Sequence, residues 1–246
     1  METLRQLPRL NTAIVPEHNP LPNITDFTSR ISGLSVFSKL DLQKGYYQVP
    51  VEQEDIQKTA IITSFRMFEF LVMPFGLRNA GNTFQRLMDQ ILGDLPYCFV
   101  YVDDILVFSK DLTSHVQHLR DVFLLCREYG LTIGLPKCQF AVEEIEFLGH
   151  RLTASGCSPL VKHSAAISAF PQPTDKPSLQ RFLGMVNFYR KFLRSAAQVL
   201  APLTDALKGP GKTISWTSAS SVQHANLSCC GCLRLTHRSC PSTTTP

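Results

Sequence analysis

Cys98-Phe99-Val100-Tyr101-Val102-Asp103-Asp104-Ile105-Leu106-Val107-Phe108 is the stretch on which the fold turns. Two runs of β-branched and aromatic residues flank a short polar break, the pattern of a buried β-hairpin. The break carries two adjacent carboxylates, and burying them ionised without a partner would cost several kcal/mol. The hairpin holds no basic residue of its own. A divalent cation is the economical answer, because Mg²⁺ binds through one or two carboxylates and fills its remaining positions with water and phosphate oxygens. The competing reading is a solvated Asp-Asp turn at a hairpin tip.

A second acidic strand shifts the balance. Val36-Phe37-Ser38-Lys39-Leu40-Asp41-Leu42 is another short apolar strand with one carboxylate, and Gly45 follows as a break. Neighbouring strands would bring Asp41 beside Asp103. Three carboxylates on two strands meet the requirement for two metal ions about 3.5–4 Å apart, a geometry suited to in-line displacement at phosphorus.

The surrounding residues resemble the reverse transcriptase of gypsy-type long-terminal-repeat retrotransposons. The resemblance runs in order through Pro20-Leu21-Pro22-Asn23-Ile24, Phe37 to Val49, Lys58-Thr59-Ala60, Met73 to Ala80, Thr83-Phe84-Gln85-Arg86 and the Tyr101 tetrad. It continues through Lys137-Cys138, Phe147-Leu148-Gly149-His150 and Phe182 to Arg190. Each motif alone is weak, whereas this many in sequence order are specific. The implied fold is α+β: a polymerase palm, in which a small antiparallel sheet is backed by helices, with partial fingers and a helical thumb. The implied activity is RNA-directed DNA polymerisation by two-metal nucleotidyl transfer from a dNTP to a primer 3′-hydroxyl.

By the same resemblance, Asp41, Asp103 and Asp104 are the metal ligands, with Asp104 the least strictly required. Two Mg²⁺ ions are the implied cofactors, with Mn²⁺ as the alternative. Lys137 would be the acid that protonates pyrophosphate. Tyr46 would lie under the incoming sugar, and Phe75, Gly76, Gln85 and Tyr101 would complete the substrate site, with Arg86 a further template contact. Phe147, Leu148, Gly149 and His150 would grip the primer end, His150 donating to a phosphate. Arg181, Arg190, Lys191 and Arg194 would neutralise backbone phosphates. Read from the residues alone, each keeps a plainer alternative: core packing for Tyr46, a solvated helix face for Gln85 and Arg86, an exposed loop for Lys137, turn chemistry for Phe147 to His150, and an exposed basic face for the arginines.

Helical spacing predicts a helix over Ala80 to Leu92 with Phe84, Leu87, Met88, Ile91 and Leu92 on one stripe. It predicts another over His115 to Tyr129, burying Val116, Leu119, Val122, Phe123 and Cys126, with His115 and His118 on the surface. A third is expected from Pro177 to Arg194 with Ser178 as N-cap. Asp111 and Asp121 are given no catalytic role. The expected divisions are partial fingers over 1–36, a palm over 37–151 that includes a fingers-derived segment near 50–75, a thumb over 152–216 and a disordered tail over 217–246. The tail's Cys229, Cys232, His237 and Cys240 approach a zinc knuckle, but the last spacing is too short.

A formal charge of +4 over 246 residues permits nucleic-acid binding without requiring it. Absence of a signal peptide or a long apolar run places the protein inside the cell, in the cytoplasm or in virus-like particles. The eight cysteines are read as free thiols. The expected partners are an RNA template, a DNA primer and dNTPs, no membrane, and the ribonuclease H and integrase products of a polyprotein. Both ends of the chain read as truncated, and the triphosphate-binding part of the fingers as absent. The alternative function is therefore an inactive retroelement remnant that binds nucleic-acid duplex non-specifically.

Overall fold

The computed structural model describes residues 8–17, 21–23, 30–193, 195–208, 213–214 and 216–228. Pro20 and Ile24 of the first motif, Arg194 and the tail cysteines with His237 lie outside them. The chain divides into two compact units, Met1–Ile145 and Glu146–Pro246. The expected palm boundary at 151 falls inside the second unit.

The first unit is organised by a four-stranded antiparallel sheet ordered β4-β5-β1-β6, with β1 at Val36–Asp41, β4 at Cys98–Tyr101, β5 at Asp104–Ser109 and β6 at Gln139–Val142. A short hairpin, β2 (Ile61–Ile62) and β3 (Met67–Phe68), forms a separate sheet. The central strand is β5, which pairs Tyr101 with Asp104 on one side and Asp41 with Asp104 on the other. The register thus brings both acidic positions to one end of the sheet. Alternate residues of a strand face opposite sides, so Leu40, Ile105 and Val107 share one face and Lys39, Asp41, Asp104 and Leu106 the other.

After α1 (Pro8–Ala13), the helices that matter to the sheet are α2 (Ala80–Leu92) and α3 (Leu112–Glu128). The bounds of α2 are those its periodicity predicts. It buries Phe84, Met88, Ile91 and Leu92 against Leu40, Ile105, Val107, Val100 and Val122. Asp111 caps α3, its carboxylate accepting from the Ser114 amide at 2.9 Å, which is the kind of role an N-terminal Asp performs.

Two expectations for α3 fail. His115 is fully buried, with Ser38 Oγ 2.7 Å from Nε2 and Ser109 Oγ 2.8 Å from Nδ1. His118 is part-buried: Ser109 Oγ is 2.7 Å from its Nδ1, and its ring stacks on Tyr97 at 3.7 Å. Burial holds the His115 pKa below its ordinary value, so the neutral ring ties the helix to two strands. In exchange, Val116 and Phe123 are 51% and 37% exposed; the helix is rotated so that its histidine, not its whole apolar stripe, meets the sheet. The face opposite the helices buries Phe37, Leu106 and Phe108.

The second unit begins within β7 (Glu144–Phe147), which leads a three-stranded sheet with β8 (His150–Thr153) and β9 (Gly156–Pro159); its described helices are α4 (Val161–Ser168), α5 (Lys176–Phe188), α6 (Ala196–Asp205) and α7 (Ser218–Ser228). Its core gathers Ile167, Leu179, Phe182, Leu183, Val186, Tyr189, Leu200, Leu203 and Leu227. The N-cap of α5 is Asp175, not Ser178: the Ser178 amide donates to the Asp175 carboxylate at 2.8 Å. The helix also ends at Phe188, short of the expected Arg194.

The expected disorder beyond residue 217 is corrected over Ser218–Ser228. Leu227 and Ser220 are buried, and the His224 ring packs 4.8 Å from Phe182 and 5.9 Å from Trp216. Leu227→Ala should therefore destabilise this unit by about 2–5 kcal/mol, the range for truncating a buried leucine. Urea unfolding followed by the fluorescence of Trp216, the sole tryptophan, measures it; an unchanged midpoint would show that α7 is not part of the core.

Candidate active site

The acidic end of the first sheet is assembled from the β4–β5 hairpin, the end of β1, the turn after β1 and α2. At the hairpin tip Val102 has φ 53°, a left-handed conformation that is unfavourable for a β-branched residue. Gln85 of α2 holds it there. Its Oε1 accepts from the Val102 amide at 2.7 Å, while Nε2 donates to Val100 O at 3.2 Å and to Asp89 Oδ1 at 2.8 Å. Gln85 is fully buried, so the expectation that it touches a template is overturned: it braces the acidic hairpin from behind. Its neighbour Arg86 is ion-paired to Glu17, whose backbone also engages Asn79 and Asn82.

Asp103 occupies the tip. Its Oδ1 is buried and has no hydrogen-bond partner. Burial, followed by the charges of Asp41 and Asp104, raises its pKa above the ordinary carboxylate value, and Lys137 partly offsets them. Gly45 is what makes room for it, since a Cβ there would come within 2.2 Å of Oδ1 and 2.9 Å of the Phe84 ring.

The other two carboxylates each face a lysine. Lys39 Nζ lies 2.8 Å from Asp104, and Lys137 Nζ lies 3.4 Å from Asp41. The hairpin's lack of a basic residue is thus met from outside it for Asp104, while Asp41 at the end of β1 also faces a lysine. Lys39 is supplied by the neighbouring strand, two residues before Asp41 and on the same face. Among the described residues no three Asp, Glu, His or Cys side chains gather into a metal cage. Asp41 and Asp103 remain as a two-carboxylate site, and the unpartnered oxygen of Asp103 fits a divalent cation in this place.

Aromatic residues border the acids. Tyr46 lies in a 3-10 turn, Gly45–Gln48, and packs 5.2 Å from Phe75 and 5.4 Å from Phe84. Burial and the Asp103 charge both raise its pKa, which keeps the hydroxyl protonated. Phe75 is 44% exposed. Beside it Gly76 takes φ 93°, with its carbonyl accepting from Asn11 Nδ2 at 2.7 Å. Tyr101, at the end of β4, is half-buried and lies opposite Asp104.

In the second unit, Phe147 and His150 flank the β7–β8 turn and Leu148-Gly149 form it, with φ 45° and 77°. His150 does not present a donor to a phosphate. It is buried, its Nδ1 donates to Leu148 O at 2.8 Å, and Phe188, Tyr189 and Phe192 surround its ring. Burial, with Lys191 nearby, pushes its pKa down to about 4. Lys191 also departs from expectation. Its ammonium is buried without a hydrogen-bond partner, 5.0 Å from the Phe192 ring centroid, and burial lowers its pKa. Arg181 and Arg190 are exposed as expected.

The reverse transcriptase (RNA-dependent DNA polymerase) family model matches residues 3–152. The chain belongs to the reverse transcriptase family. It is 40% identical over 216 residues to the retrovirus-related Pol polyprotein from transposon opus of Drosophila melanogaster, which covers 87% of this chain and 22% of that polyprotein. Against the Pol polyprotein from transposon gypsy of the same organism it is 32% identical, over 84% of this chain and 20% of the relative. The transposon Tf2-3 polyprotein of Schizosaccharomyces pombe is 34% identical over 84% of the chain. The chain thus spans about a fifth of the length of the polyproteins it matches. A foamy viral protease-reverse transcriptase solved with double-stranded DNA has the same fold, with a TM-score of 0.81 at 23% identity over 89% of this chain and 39% of that one. The foamy viral enzyme solved with RNA/DNA hybrid gives 0.74 at 23% identity, over 90% and 30%. No helix among the described residues is long and apolar enough to cross a membrane.

Gln85, Gly45 and Lys39 are the residues of this candidate site whose roles the sequence reading missed. Gln85 leaves a signal: it falls on the buried side of α2, three residues before Met88 and seven before Leu92, where a polar side chain needs a buried partner. Gly45 leaves none beyond being a glycine four residues after Asp41. Gln85→Leu strands the Val102 amide and the Val100 carbonyl, and should cost about 1–3 kcal/mol in urea unfolding; a cost near zero would mean that the hairpin holds itself. A second expectation concerns His150. Its pKa lies below the ordinary 6.5, so the folded unit binds fewer protons than the unfolded chain between pH 6.5 and about 4, and stability falls as pH falls through that window, by about 3 kcal/mol in all. In His150→Phe this part of the slope should vanish, as urea unfolding at pH 7 and pH 4.5 would report.

Proposed function

We propose that this domain catalyses template-directed nucleotidyl transfer: a primer 3′-hydroxyl attacks the α-phosphorus of a dNTP and pyrophosphate leaves, with RNA or DNA as template. The observation that carries the reading is the buried Asp103 oxygen with no partner, beside Asp41, in a chain of this family. Asp41 and Asp103 would hold the magnesium ions, whose chemistry is to lower the pKa of the attacking hydroxyl and neutralise charge on the phosphate oxygens. Asp104 stays paired with Lys39 and supports the site through its charge.

The remaining residues position and protonate. The Tyr46 ring, braced by Phe75 and Phe84, would lie beneath the incoming sugar and exclude a 2′-hydroxyl. Phe75 and the open backbone at Gly76 would form the floor under the base pair. Lys137 is 76% exposed and close to Asp41, so its ammonium can reach the leaving group and transfer a proton from Nζ to the departing pyrophosphate oxygen. In the second unit, Leu148-Gly149 would hold the primer end, and Arg181 and Arg190 would neutralise duplex phosphates in a salt-sensitive manner. Lys191 and His150 are given no nucleic-acid contact.

Primer extension on poly(rA)/oligo(dT) with Mg²⁺ or Mn²⁺ tests the reading. Wild-type chain should incorporate dTMP and Asp103→Asn should not. Equal incorporation by the variant would remove Asp103 from the chemistry. No incorporation by either, alongside salt-sensitive hybrid binding, would favour the inactive duplex-binding alternative.

A further inference from the structure

The Leu148-Gly149 turn puts two consecutive residues in the left-handed region, one of them a leucine. Such a conformation persists only where its surroundings over-determine it. On one side the turn borders an apolar cavity of about 400 Å³ lined by Leu148, Gly149, His163, Ile167, Met185 and Phe188, among others, so packing does not fix it there. Hydrogen bonds do. The Leu148 carbonyl accepts from His150 Nδ1 at 2.8 Å, and the Gly149 carbonyl accepts from the Tyr189 hydroxyl at 3.0 Å.

Tyr189 is itself constrained. It is the C-cap of α5 and is 3% exposed. Behind it His163 Nδ1, from α4, lies 2.5 Å from the phenolic oxygen. With the hydroxyl proton committed to Gly149, the histidine is the donor in that contact. Contact is tight on the glycine side too, where a Cβ at Gly149 would stand 3.3 Å from both the Tyr189 hydroxyl and the Phe188 ring. Burial pushes the Tyr189 pKa up to about 12, which keeps the donor protonated at working pH.

We propose that Tyr189, oriented by His163, is a positioning residue that locks the Leu148-Gly149 turn into the one backbone conformation in which it holds a primer terminus. The inference rests on the reading of that turn as the primer-holding element. Tyr189→Phe removes one oxygen and leaves the ring in its packing. In the full-length chain this variant should raise the KM for primer–template about five- to tenfold, the equivalent of one buried hydrogen bond, with kcat changed by less than about twofold. Hydrogen exchange should quicken most at the Gly149 and His150 amides, while the melting temperature falls only by the few degrees that one lost hydrogen bond costs. His163→Ala should move the same readouts in the same direction by less.

An unchanged KM with unchanged exchange at the turn overturns the proposal. A larger fall in melting temperature with faster exchange throughout the unit also overturns it, since Tyr189 would then be core packing. If the wild type itself fails to extend primers or bind hybrid, the polymerase reading falls, and with it the primer-holding role; turn-confined exchange in Tyr189→Phe would then retain only the clamp.

Discussion

A single carboxylate oxygen, Asp103 Oδ1, sets the terms for the rest of the first unit. It is buried, has no partner, and lies among two further carboxylates. An arrangement of that kind costs free energy in the folded chain and gives nothing back to stability. The surrounding structure is therefore built to impose it. Gly45 leaves the space, Phe84 forms the wall, and Gln85 pins a left-handed Val102 so that the next residue projects to the tip. Desolvation and like-charge repulsion concentrated on one side chain are what a site for a cation offers, since the incoming charge relieves both.

The lysines clarify which acid is reserved. In an antiparallel sheet, residues two apart on one strand reach the same face, so Lys39 sits diagonally from Asp104 and can neutralise it at 2.8 Å. Lys137 approaches Asp41 from a separate turn, more loosely and with most of its length exposed. A long, solvated side chain at 3.4 Å holds its partner weakly, which leaves Asp41 available to a stronger cation and Lys137 free to move. Asp103 has neither. The gradation from firmly paired Asp104 to unpaired Asp103 agrees with the proposal in which Asp41 and Asp103, and not Asp104, hold the metal ions.

How much of this was legible depended on whether period or contact decided the residue. The hairpin, β1 and the bounds of α2 follow from apolar spacing, and β1 pairs with β5 in a register that sets Asp41 opposite Asp104 and lets its charge act on Asp103. Gln85 and His115 were misplaced for one shared reason: each is a polar residue buried to satisfy main-chain or hydroxyl groups elsewhere in the sequence, and a one-dimensional pattern assigns polar residues to solvent. The resemblance and the expected helix face assign His150 and Lys191 to phosphates, whereas the aromatic residues around them are what determine their state. Helix α7 escaped because SASSVQHANLS has almost no amphipathic period; only the core formed by α5 and α6 gives Leu227 and His224 somewhere to go.

The two units solve the same problem by the same device. Each presents a tight turn with a non-glycine residue in left-handed conformation, Val102 in one and Leu148 in the other, and in each a polar side chain contributed by a helix or its cap secures the turn's backbone. Gln85 accepts from an amide; Tyr189 donates to a carbonyl. A turn held by its own sequence would need glycine or asparagine at these places and would keep access to several backbone states. Clamping from a neighbouring helix instead ties turn geometry to the hydrophobic core that seats the helix, so the rigidity of α2 and α5 passes directly to Asp103 and to the Leu148-Gly149 backbone.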